Sequence, residues 1–383
     1  MFNRNADQEL FQETTRRFLE SQCPLTKVRD LAGTKVGFEP DYWRQGAELG
    51  WTSLVVPEEA GGGSVSGAGV LDLVLVAYEL GFHAAPGPLG PTNVVAAALG
   101  RWGSKEHQEE PLAALLSGEQ VAAWAAGEPG TATGLDPVTE ARAEGSFVIL
   151  SGSKGPVEAG CEASHLLVTA RSEDGLSQYL VPRDAVGVTV TPLQGLDMTR
   201  RYARVDLDDV RVPVSTAVGT PGESGVSAAW LTDLALVIQT AEMVGCMQWA
   251  MDTTLEWAFN RYSFGRPLAS YQEIKHRFAD MTMWLEASYA IVADAARAVQ
   301  DDTAERAELA SAAKFYVGHH GGELLQDCVQ IHGGIGVTFD HDLHLFLRRV
   351  TTDLPIHGSP SEHAIRITRL MEPQLHDAQE ARA

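Results

Sequence analysis

Basic side chains are the scarce class in this chain, 29 Lys plus Arg against 51 Asp plus Glu, which leaves a formal net charge of −22. A surface of that sign excludes nucleic acid and anionic membrane as partners held by bulk electrostatics, though not a local basic pocket for an anionic ligand. Cysteine is scarce as well. Cys23, Cys161, Cys246 and Cys328 lie far apart with no CxxC pair, so neither a disulfide framework nor a cysteine metal site is expected, and reduced thiols in a cytoplasmic protein are the simple reading. The N-terminus, MFNRNADQELFQETTRRFLES, is polar and patterned as a helix, which is not the pattern of a secretory signal. Internal repeats and low-complexity segments are missing too. Only one apolar run nears membrane-spanning length, residues 234–251, and its two Gln, Thr and Glu between Asp233 and Asp252 favour a buried helix over a membrane span.

What remains is a 383-residue chain with 44% apolar and 21% charged residues, a globular composition long enough for two or three domains. Residues 1–120 alternate helical patterns with Gly and Pro breaks: Asp7 to Ser21, YWRQGAELGW, GVLDLVLVAYELG, NVVAAALGRWG and LAALLSGEQ, with LVVPEEAGGG as a loop. From 121 to about 225 come short β-branched runs, among them SFVILSG, HLLVTAR, QYLVPR and ARVDLDDVRVP, which predict an antiparallel β-domain. From 226 to 383 the pattern is helical again, with Gly and Pro turns at IHGGIG and LPIHGSPSEH. The fold class is therefore α+β and multi-domain, with a β-domain between two helical ones.

Within the apolar run 234–251 the one ionisable acid or base is Glu242. In a helix its neighbours at spacings of three, four and seven are Gln239, Ile238, Gly245, Cys246, Ala235 and Trp249, none of which can pair with it. A buried unpaired carboxylate moves toward neutrality, which makes Glu242 a candidate proton-abstracting base; the alternatives are a wet face or an arginine supplied by tertiary contact. Farther on, NRYSFGRPLASYQEIKHRF sets Arg261, Arg266 and Lys275 around Phe264, with Gly265 and Pro267 fixing a turn. In so acidic a chain that arrangement suits ligand phosphates, or else forms a plain helix corner. In CVQIHGGIG the paired Gly333 and Gly334 free backbone amides for close approach, although a helix cap accounts for one of them. His332, His341 and His344 have no regular ligand spacing, so no metal is expected.

Taken in order, VVPEEAGG, GEPG, DDVRVP, RYSFGRPLASYQEIKHRFADM and CVQIHGGIG resemble the acyl-CoA dehydrogenase family over nearly the whole chain, and actinobacterial members of it in particular. The resemblance implies a helical N-terminal domain, a middle β-domain and a C-terminal four-helix bundle, assembled as a homo- or hetero-tetramer. It implies bound FAD, an acyl-CoA substrate dehydrogenated between its α and β carbons, and transfer of electrons to an electron-transfer flavoprotein. Carried over by position, Arg261, Phe264, Gln272, Gln330, Gly333 and Gly334 would hold the FAD of a neighbouring subunit, and Thr133 would remain from the flavin loop. Where many members carry a basic glutamate near the C-terminus this chain reads Ile356, His357, Gly358. Glu242 is then the leading base and His357 the runner-up. Ala241 and Gly245 would leave room for a bulky acyl group in a pocket shaped by residues 70–81 and 231–245.

The middle domain departs from the family pattern. Pro156 stands at the position of a ring-stacking aromatic, and Glu158 at that of a hydroxyl beside flavin N5. Two readings follow from the resemblance: an active FAD-dependent dehydrogenase, or a subunit of a heteromeric one, of the kind acting on steroid side chains, that completes a partner's FAD site. A non-catalytic acyl-CoA-binding relative and an oxidase are further alternatives.

Overall fold

The computed structural model describes residues 4–130 and 135–380, with the side chains of 373–380 excepted. Its N-terminal part carries α1 (Ala6–Gln22), α2 (Leu25–Ala32), α3 (Pro40–Glu48), α4 (Gly69–Phe82), α5 (Leu89–Trp102) and two short turns, α6 (Lys105–His107) and α7 (Ala113–Leu116). The strands are β1 (Ala122–Ala125), β2 (Glu140–Glu144), β3 (Phe147–Glu158), β4 (His165–Ser172), β5 (Gly175–Pro182), β6 (Val188–Leu193) and β7 (Tyr202–Pro213). The helices α8 (Gly225–Asn260), α9 (Gln272–Gln300), α10 (Arg306–His332), α11 (Leu343–Asp353) and α12 (Pro360–Glu380) follow, and a small hairpin of β8 (Tyr262–Ser263) and β9 (Arg266–Pro267) lies between α8 and α9.

The sheet is mixed rather than purely antiparallel. Its order is β1-β4-β2-β3-β7-β6 with β5 also on β4, and β1 pairs with β4 in parallel. Parallel pairing needs a long crossover, and residues 126–164 between the two strands supply it. Along β3 the register on β7 shifts twice, between Leu150 and Gly152 and between Lys154 and Val157, before Glu158 pairs with Tyr202. Such irregularities bend a strand and re-aim the side chains beyond them.

One apolar core runs through both helical parts, while the sheet keeps a smaller core of its own. The axis of the larger core is α8, which is apolar on every side. Such a helix is stable only when surrounded, and its most apolar window is 89% buried here. Helix α4 crosses it with backbones in touch: a Cβ on Gly81 would lie 1.9 Å from the Glu242 carbonyl oxygen, and one on Gly245 would lie 2.1 Å from that of Tyr78. Gly245, expected to leave room for an acyl chain, instead lets two helices meet. That crossing fixes the height at which Glu242 leaves α8.

Candidate functional site

Glu242 is not the unpaired acid that its own helix suggests. Its Oε1 accepts hydrogen bonds from Arg200, on the segment leading into β7, and at 2.7 Å from Nη1 of Arg349 on α11. Neither arginine is near in sequence; tertiary packing supplies both. Among the described residues no donor reaches Oε2. The three side chains are almost wholly shielded from solvent.

Arg349 is the more fully bonded of the two cations. Beyond Glu242 it donates to Asp197 at 3.3 Å, to Thr199, and to the carbonyls of Ala84 and Ala85 at 3.2 and 3.0 Å. One guanidinium thereby ties the N-terminal helices, the β-domain and α8 together. Its place was legible in part, since Leu345, Phe346 and Asp353 lie three or four residues from it on the buried face of α11. Arg200 carried no such signal. It bridges Glu158 and Glu242, and its Nε is buried without a partner. Burial raises the Glu158 carboxyl above the ordinary glutamate range, against the pull of Arg200.

Around these groups lies a cavity of about 40 Å³ bounded by Gly90, Pro91 and Val94 of α5, Ala235, Ile238, Gln239 and Glu242 of α8, and the β-domain residues Trp124, Pro156 and Glu158. Nothing from 70–81 reaches it, because that stretch of α4 is spent on the crossing with α8. Asp353 closes the cavity at the end of α11, and burial pushes its carboxyl up to about 8. Behind it Lys314, itself driven down to about 7 by burial, donates to Gln239 and to the carbonyls of Asp353 and Ile356. Lys314 therefore pins the loop in which many relatives would carry a glutamate. His357 is on that loop at φ +61°, with its ring 5.3 Å from Trp124. Burial lowers this imidazole to about 3, which makes it a poor proton acceptor.

A second, more open cavity of about 260 Å³ adjoins the first at Trp124, Pro156, Ile356 and His357, and reaches the GEPG loop. Here Glu128 is committed to structure. Burial pushes its carboxyl up, but Lys154, Thr139 and the backbone N–H groups of Val138 and Thr139 outweigh that and hold it at about 2. A flavin ring would meet Pro156 here in place of an aromatic, with the Lys154-paired carboxylate of Glu128 and the carboxylate of Glu362 at the walls. The stacking aromatic is missing and the Glu362 carboxylate opposes the negative charge of a reduced flavin, so the residues present do not fit the ring. Thr133 lies outside the described residues.

The expected phosphate-binding residues sit elsewhere. Arg261 caps the C-terminal end of α8, nineteen residues beyond Glu242, which is about 28 Å along the axis. Phe264 tops the β8–β9 hairpin at φ +51° and is 98% exposed. Gln272, Gln330, Gly333 and Gly334 are exposed too, the last two in the 3₁₀ turn that ends α10, where Gly333 has φ +66°. Trp257 joins the two groups: its ring stacks on His332 at 5.2 Å and underlies the Arg261 guanidinium at 5.8 Å. Cation, aromatic and the uncrowded backbone of Gly333 and Gly334 together make a surface open to the phosphates and rings of a dinucleotide.

The N-terminal domain model of the acyl-CoA dehydrogenases matches residues 5–119, and the C-terminal domain model matches 236–370. The acyl-CoA dehydrogenase IpdE2 of Mycolicibacterium smegmatis is 29% identical over 363 residues, 94% of this chain and 97% of that protein. FadE34 of Mycobacterium tuberculosis is 31% identical over 353 residues, which is 90% of this chain but 44% of that longer protein. Among solved structures, a variant of the Tcur3481-Tcur3483 steroid ACAD matches with a TM-score of 0.88 at 27% identity, covering 96% of this chain and 98% of that one. The ChsE4-ChsE5 complex from Mycobacterium tuberculosis matches at 0.87 and 26%, covering 97% and 99%.

Proposed function

Because this chain belongs to the acyl-CoA dehydrogenase family, FAD-dependent oxidoreductases that act on a CH–CH bond of acyl-CoA thioesters, we propose that it is the cofactor-completing subunit of a heteromeric member. In this reading the chain lends Arg261, Phe264, Gln272, Gln330, Gly333 and Gly334 to FAD seated in a partner chain. The partner supplies the flavin-ring pocket and the base. The observation that carries the reading is the pairing of Glu158 with Arg200 at the point where a flavin ring would need a neutral donor, while the donated strip stands intact and exposed, with Arg261 about 28 Å along α8 from Glu242. Two relatives whose names join two gene products, Tcur3481-Tcur3483 and ChsE4-ChsE5, support it.

The assembled enzyme introduces a carbon–carbon double bond into an acyl-CoA thioester, of a fatty acid or a steroid side chain, and hands its electrons to an electron-transfer flavoprotein. Four free thiols fit a reducing cytoplasm. The test is the visible spectrum: the chain purified alone has no flavin band, and co-expression with an adjacent dehydrogenase gene product yields one FAD per pair of chains. Full flavin occupancy in the chain alone overturns the proposal.

A second reading keeps Glu242 as base, because its Oε2 accepts no hydrogen bond from the described residues and the side chain lines the cavity. Activity of the chain without a partner, abolished by Glu242→Gln, decides for it.

A further inference from the structure

Arg200 stands between two voids. Together with Glu158 it lines the 40 Å³ cavity in front and a 20 Å³ pocket behind, and the rear pocket shares Phe38 and Glu162 with a cleft of about 530 Å³ between the N-terminal helices and the β-domain. Space is thus available on the far side of Arg200, yet the apolar wall made by Val94, Ala235 and Ile238 faces a front cavity with room for only a few water molecules. The guanidinium is held there by carboxylates alone: Nη1 donates to Glu158, Nη2 to Glu242, and Nε to nothing.

We propose that Arg200 is a built-in plug, a side chain of the protein that fills its own acyl cavity and excludes the thioester tail. The proposal rests on the reading of the chain as a cofactor-completing subunit and assigns one residue to the loss of its substrate site. The charges identify the lock. Arg200 and Glu158 enter as one positive and one negative group, whereas Glu242 keeps a cation, Arg349, whether or not Arg200 is present. Removing Arg200 by itself would strand Glu158 in a buried site, while removing both takes away one charge of each sign and leaves the Arg349 junction as it was. The space released lies against an apolar wall, where each methylene of an acyl tail gains by leaving water.

The experiment is calorimetric titration of the purified full chain with octanoyl-CoA and, as the control lacking a tail, with free CoA. Wild type is expected to bind the two within threefold of each other, and the Arg200→Ala/Glu158→Thr variant to prefer octanoyl-CoA at least tenfold. A tenfold preference in wild type overturns the plug, as does a folded double variant that gains none. Should the double variant fail to fold, Glu158→Gln takes its place. With the guanidinium still seated on Glu242 it must gain nothing, and a tenfold gain there overturns the assignment to Arg200. Tail preference is measured without reference to flavin, so its failure is distinguishable from that of the subunit reading, which the flavin content of the chain alone decides.

Discussion

Replacing Arg349 by Met removes the one cation that, among the described residues, touches the N-terminal helices, the β-domain and α8 together. The variant keeps most of the side-chain volume, so the loss is electrostatic. Glu242 retains only Arg200, Asp197 loses a charged donor, and the carbonyls of Ala84 and Ala85 lose the donor they share. Breaking a buried ion pair by deleting one partner costs about 3–5 kcal/mol. Each stranded carbonyl adds roughly 1 kcal/mol or more. The expected loss is therefore about 5–7 kcal/mol, a large part of the roughly 5–15 kcal/mol that holds a folded domain. Urea unfolding followed by far-ultraviolet circular dichroism measures it directly. Arg349→Lys keeps the charge, but one ammonium cannot span acceptors in three domains, and about half the loss should remain. A double-mutant cycle with Glu242→Gln should give a coupling of at least about 2 kcal/mol. A loss below about 1 kcal/mol for Arg349→Met, on the scale of an exposed pair, would refute the view of this arginine as an inter-domain tie.

Gly245→Ala puts a methyl group against the carbonyl of Tyr78 and should cost on the order of 2–3 kcal/mol, read as a lowered unfolding midpoint with less bound partner; an unchanged midpoint contradicts the close crossing. His363 is buried, with its Nε2 on the carbonyl of His357, and burial lowers the imidazole to about 4. Since this lies below the value of about 6.5 in the unfolded chain, the stability it contributes is complete above pH 6.5 and is lost as pH falls through 4, by about 3 kcal/mol in all. His363→Gln should flatten that acid limb, and an identical slope between pH 6.5 and 4 counts against it. Arg261→Ala should lower the flavin content of the assembled enzyme at least tenfold while leaving the fold of the chain intact, as judged by its unfolding midpoint. Equal flavin content would mean that the donated strip is a plain helix corner.

Much of the architecture could be read from periodicity. Helices α8, α9 and α10 end at or within a few residues of their Gly, Pro and polar breaks, and the β-branched run SFVILSG falls on β3. The parallel entry of β1 could not be read, because local alternation says nothing about which strand becomes a neighbour. At the site, the isolation of Glu242 on its helix was legible and its tertiary partners were not. Arg200 and Arg349 approach from segments 42 and 107 residues away. Gly245 was misread for a related reason: a small residue in an apolar helix looks the same whether it borders a cavity or another backbone, and the position of Tyr78 decides which.

The exposed strip around Phe264 has a consequence for how much of this protein a cell can keep. Phe259, Tyr262 and Phe264 at the end of α8, with Val337 and Phe339 after the glycine turn, are all more than half exposed. An unaccompanied copy offers this clustered apolar surface to chaperones, proteases and other orphans alike. If a partner chain covers the strip as proposed, synthesis in excess of it would be wasted through turnover, so the abundance of this chain should follow that of the partner rather than its own rate of translation.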